Sequence, residues 1–186
     1  MTKVTAKNLA QALQKVQSLN IKEKELICDE IYKEQPNLLA SVIVQQRLGN
    51  SLQDVDVLLN ILIVLYLSLK EAGITISKVT EQEQEHQLSL LKNTILFSEG
   101  LGVNLVESSV NQYISNHKEP PLLAYVIGAM QEAGFFEKKE ENSKYITLAG
   151  LNLVACIANA KEKSAQKNQR DRHKDSPASY FHRTPQ

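Results

Sequence analysis

The sequence contains no tryptophan, only two cysteines among 186 residues, and no apolar run long enough to cross a bilayer. Each shortage excludes something. Two cysteines cannot make a disulfide framework, and Cys28 and Cys156 each sit inside an apolar helical pattern, where a free thiol behaves as a small hydrophobe. A single bond between them is allowed but not indicated. The most apolar stretch, Val57 to Leu69, is interrupted by Asn60 and Ser68 and counts 13 residues, against the roughly 20 that a spanning helix needs. Met1-Thr2-Lys3-Val4 lacks the apolar run of a secretory signal. The expectation is a soluble cytoplasmic protein without membrane contact.

Net charge is also missing, since 21 basic residues balance 21 acidic ones. The charges are unevenly placed. From Lys161 onward there are seven basic and three acidic residues, leaving 14 basic against 18 acidic before it, so the body carries about −4 and the tail +4. A nucleic-acid-binding domain ordinarily presents a basic face, and the body shows none in its pattern.

What is present is helix. The chain is 42% hydrophobic and 23% charged, ordinary values for a packed core. Leu9, Leu13 and Val16 recur at helical spacing and predict a helix from Ala6 to Leu19. A second spans Lys22 to Glu34, burying Leu26, Ile27 and Ile31, and Pro36 ends it. Asn37 is then expected to cap Leu38 to Leu48, which stops at Gly49. Ser51 with Asp54 opens Leu52 to Ala72, closed by Gly73. That helix is apolar nearly all round between Val57 and Leu69, so it belongs at the centre of a bundle.

Ile74 to Lys78 reads as a connector with extended character. Thr80 with Glu83 forms another capping box, before a helix with an acidic first turn that ends near Gly100. Helices Leu105 to Asn116 and Leu122 to Ala133 come next, the second stopping at Gly134. Phe135 to Lys139 and Lys144 to Thr147 flank a polar stretch and predict a small β-hairpin. A last helix covers Ala149 to Lys161. Pro36 to Ile43 and Pro120 to Ile127 resemble one another, as do Lys70 to Gly73 and Gln131 to Gly134. Their unequal spacing argues for shared start and stop chemistry rather than a repeat of fixed period.

The run Met130 to Glu137, with Tyr145-Ile146-Thr147-Leu148-Ala149-Gly150 after it, resembles the C-terminal part of winged-helix domains. There a recognition helix ends at a glycine, enters a two-stranded wing, and a Thr-x-x-Gly turn leads to a final helix. The resemblance covers about Asn104 to Lys161. It implies DNA contact through Leu122 to Ala133, with Tyr125 and Gln131 facing bases and Lys138, Lys139 and Lys144 on the wing. The helix itself has no Arg or Lys, and phosphate neutralisation supplies much of the affinity for DNA. A winged-helix module devoted to protein contact fits the composition better.

No catalytic set emerges. Glu83-x-x-His86 has the spacing of a metal-bearing helix face, but a bundle site needs a second copy; Ile114 precedes His117 by three residues, and Arg170 precedes His173. Nothing ties a histidine to either cysteine. Asp54 and Asp56 point to different helix faces. Ser98-Glu99-Gly100-Leu101-Gly102 is neither a nucleophile elbow nor a phosphate loop. No catalytic, cofactor or metal residue is therefore assigned. In the basic tail, Tyr180-Phe181 is an unusual apolar pair with the character of a short docking motif.

The pattern predicts a mainly α protein, a bundle of about seven or eight helices with one short wing-like hairpin near 135–147. Residues 1–100 would form the bundle, 104–161 the winged-helix-like part packed on it, and 162–186 a disordered basic tail. The expected function is non-enzymatic: a protein-interaction or regulatory protein presenting helical surfaces to a protein partner, including a second copy of itself. A winged-helix transcriptional regulator is the alternative, and a small helical enzyme the third reading.

Overall fold

An apolar helix without a polar face has to be covered on all sides, and residues 61–69 are arranged that way. The computed structural model describes residues 3–98, 114–137 and 141–163. Among them seven helices are bounded: α1 (Ala6–Ser18), α2 (Ile21–Glu34), α3 (Pro36–Arg47), α4 (Leu52–Glu71), α5 (Glu81–Ser98), α6 (Pro120–Glu132) and α7 (Glu141–Asn159). Residues 114–116 are helical as well; the rest of the helix expected from Leu105 lies outside the described residues.

In α4, Leu58 and every residue from Ile61 to Leu69 are buried. The helix is enclosed by α1, α3, α6 and α7, with α2 touching one flank. One continuous core results, running from Val4 and Ala12 through α4 to Met130 and Leu153. Taken whole rather than as its 13-residue run, α4 is long and apolar enough to cross a membrane by length and composition, although 56% of its most apolar window is buried inside the protein.

The helix starts obey local chemistry. Thr5 and Asn8 exchange hydrogen bonds of 3.2 and 3.0 Å at the head of α1, and Asn20 and Glu23 do so at 3.0 and 2.8 Å at α2. Thr80 and Glu83 repeat the device at α5, and Ser51 Oγ accepts from Asp54 N at α4. Each satisfies donors that a helix N-terminus leaves open. At the other end, Gly73 (φ 68°) and Gly134 (φ 70°) adopt the left-handed conformation. Ile74 N then donates to Leu69 O, and Phe135 N to Met130 O, closing α4 and α6 in the same way.

α3 and α6 begin differently from the expectation. Proline occupies the first turn of both, where its missing N–H costs nothing. Asn37 does not cap α3; its amide donates to Val79 O at 2.9 Å. The preceding residue is the structural one in each case. Gln35, 3% exposed, accepts from Val79 N and donates to Ser77 O, fastening the connector after α4. Glu119, 1% exposed, accepts from the backbone N–H groups of Lys3 and Val4 at 2.9 and 3.0 Å. The connector is extended, as expected, and pairs antiparallel with the end of the described chain: Ser77 N donates to Lys161 O and Lys163 N to Thr75 O.

Two expectations need correction. The hairpin near 135–147 is not found: residues 144–147 belong to α7, and Phe135 to Glu137 form turns; Lys138 and Lys139 lie outside the described residues. Tyr145-Ile146-Thr147 has β propensity, but Ile146, Gly150, Leu153 and Ile157 recur every three or four residues and are all buried. Helical periodicity coupled to tertiary burial overrides propensity. The crossing is close, because a Cβ on Gly150 would stand 2.6 Å from Met130 Sδ. Leu26, expected inside, is 67% exposed; only Ile31 in α2 is fully buried.

Glu119 ties the chain's beginning to the start of α6. Replacing it by Ala leaves the buried Val4 N–H without its acceptor, an effect of about 2–4 kcal/mol for two charge-assisted bonds. Glu119→Ala is expected to lower the urea midpoint correspondingly with little change in slope, and an unchanged midpoint would show that the latch contributes nothing.

Candidate interaction groove

Among the described residues one concavity joins three chain segments distant in sequence. It is a groove of about 410 Å³ between α3, α5 and α7. Val44, Leu48, Leu88, Tyr145 and Leu148 supply its apolar surface, and Glu81, Glu85 and Lys92 its charged edge. Gln84 holds the head of the groove together. Its side chain donates to Asn37 O at 3.1 Å, and its carbonyl accepts from Asn152 Nδ2 at 3.2 Å. The buried amides beneath are satisfied: Gln45 Nε2 donates to Ser41 O and Asn50 Nδ2 to Gln45 Oε1.

The groove is open rather than enclosed. Val44, Leu48 and Tyr145 retain 40%, 43% and 45% of their surface. Apolar side chains held at a rim by satisfied polar groups make a surface suited to another chain rather than a sealed reaction chamber. Among the described residues lining the groove, no nucleophile is paired with a base. Ser41 Oγ is engaged with Leu38 O at 2.8 Å, and no histidine lines the walls.

The other candidate sites lack a functional arrangement. Among the described residues no three His, Cys, Asp or Glu side chains converge on a metal-sized site. Glu83 spends its carboxylate on Thr80, whose backbone N–H and hydroxyl hold it below the usual carboxylate range, and His86 is exposed. A second depression of about 490 Å³ between α2 and α4 contains Cys28, with Lys24 Nζ donating to Asn60 Oδ1. Burial first, then Asp29 and Glu25, push the Cys28 thiol up. Burial raises Cys156 to about 12. Both cysteines are free, and neither has the electropositive setting that makes a thiolate.

The residues expected for DNA contact scatter. Tyr125 is half-buried against the core, with its hydroxyl pushed up to about 12 by burial. Gln131 is exposed on α6, Lys144 is exposed on α7, and Lys138 and Lys139 lie outside the described residues. The exposed positions of α6 are Ala124, Gln131 and Glu132, so that helix presents no cation.

Sequence reasoning missed the groove. Gln84 lies in a Glu-Gln run that reads as a solvated face, and Asn152 in an apolar helix reads as a blemish. Only the polar residue inside an apolar pattern offered a signal.

Comparison of the chain with protein-family models, with curated proteins and with solved structures finds no match in any of the three.

The thiol environments give a direct check on the absence of a cysteine nucleophile. At pH 8 both thiols of the folded protein are expected to react slowly with a disulfide reagent, Cys156 the slower, and both promptly in denaturant. Fast reaction of either in the folded state would restore the nucleophile reading.

Proposed function

We propose that the protein is a non-enzymatic interaction protein whose α3–α5–α7 groove receives a basic, amphipathic segment of a protein partner. The carrying observation is the pairing of exposed Val44, Leu48 and Tyr145 with acidic Glu81 and Glu85 along one open groove. An amphipathic segment buries its apolar side against the first three, and its cations meet the two carboxylates at the edge. Apolar anchors supply affinity, about 1.5–3 kcal/mol for each fully buried side chain, while the edge charges select partners and orient their approach. The absence of a nucleophile–base pair in the groove favours binding over chemistry.

A photo-crosslinking residue at Leu48, used in a lysate of the source cells, tests the reading. The expected result is one principal adduct whose linked peptide carries lysine or arginine beside helically spaced apolar residues, and which is lost with Leu88→Asp or with Glu81→Lys and Glu85→Lys together. An adduct between two copies would identify the partner as the protein itself. No adduct, or adducts indifferent to the groove substitutions, would contradict the proposal.

A further inference from the structure

We propose that residues 164–186 of this same chain occupy the α3–α5–α7 groove in cis, competing there with the partner segment. The inference rests on the reading of that groove as a docking site and names what regulates it.

The described chain passes the start of α5 shortly before its end. Lys163 N is bonded to Thr75 O, and Ser77 N to Lys161 O, so the chain leaves the bundle alongside the connector that leads through Thr80 into α5. Lys161 lies close enough to Glu83 to interact with it electrostatically. Because the pairing is antiparallel, the chain passes the α5 side of the connector at Lys161 and has run back to Thr75 by Lys163; the segment beyond doubles back to reach the acidic first turn of α5, where Glu81 opens the groove edge and Glu85 continues it.

Charge favours the same occupant. Residues 164–186 hold five Lys and Arg (Lys167, Arg170, Arg172, Lys174, Arg183) against two acids (Asp171, Asp175). Glu81, Glu83 and Glu85 stand exposed on the first turns of α5, with Lys92 farther along.

Shape and reach agree. The segment's one pair of large apolar residues is Tyr180-Phe181, which matches in character the partly exposed apolar wall made by Val44, Leu48, Leu88, Tyr145 and Leu148. Sixteen residues separate Lys163 from Tyr180, an extended reach of about 50 Å, whereas α5 from Glu81 to Lys92 rises only about 16 Å. A short tether keeps such a motif at millimolar effective concentration. A contact too weak to detect between separate molecules is then sufficient to fill the groove, and a partner has to displace it.

The chain has no tryptophan, so Phe181→Trp in the full chain gives a single reporter. Its emission is expected at shorter wavelength than that of a synthetic peptide of residues 164–186 carrying the same change. The shift should be unaltered by hundredfold dilution, and lost when exposed Glu81 and Glu85 are both changed to Lys. A second variant touches no bounded helix: Lys167→Glu, Arg170→Glu and Arg172→Glu together should also abolish the shift. Emission equal to that of the free peptide overturns the proposal, as does a shift that depends on concentration or survives both sets of substitutions. The two readings fail separately. A free tryptophan alongside an intact partner adduct at Leu48 removes the cis occupant alone; a docked tryptophan with no partner adduct from the tail variant removes the partner alone.

Discussion

The structure depends on the need to cover α4. Its buried run from Ile61 to Leu69 leaves no face for water, so neighbours are required around the whole circumference. α1, α3, α6 and α7 meet that requirement, and ion pairs from α1 and α2 to its last turn (Lys15 to Glu71 and Glu30 to Lys70) hold the far end. Gly150 is part of the same demand, since α7 passes so near Met130 that a methyl group there would collide with the sulfur. With the spine covered, α5 packs chiefly against α7. It therefore stands beside α3 rather than upon the core, and the space between those helices is the groove. Function and fold are linked at that point: a helix that packs chiefly on α7 builds one wall of the surface proposed for binding.

The buried polar residues at helix heads explain how chain segments are fixed where the described residues contain neither a sheet nor a disulfide. Gln35 and Glu119 precede prolines at equivalent places in α3 and α6, and each turns its side chain away from its own helix to hold a passing strand of backbone. The likeness between Pro36 to Ile43 and Pro120 to Ile127 is thus shared chemistry with a shared use. The two fastened segments are the beginning of the described chain and the connector that pairs with its end, so both ends of the bundle's path are anchored by one side chain each.

Much of the helical framework was legible because its signals are local. Ser51 and Thr80 announced their helices, Gly73 and Gly134 their ends, and the uninterrupted apolarity of α4 announced its burial. The hairpin failed where a three-residue β signal, Tyr145-Ile146-Thr147, competed with a stripe from Ile146 to Ile157 that becomes decisive only when Met130 and Leu58 are in place. Leu26 failed for the opposite reason: its spacing suits a buried face, but α2 lies at the edge and turns that residue outward. Apart from the polar Asn152 in an apolar helix, nothing made the groove legible. Its walls come from residues 41–48, 81–92 and 145–152, and each piece alone looks like an ordinary amphipathic surface. Concavity is a property of the assembled helices, and no single segment encodes it.

The central claim is that α4 is the protein-enclosed spine from which the groove geometry derives. Hydrogen exchange of the full chain tests it most directly. An enclosed spine predicts that amides from residue 61 to residue 69 exchange last, at the rate of global unfolding, while those of α5 exchange earlier. Rapid exchange within that run, or protection of α4 that appears only when lipid is present, would contradict it.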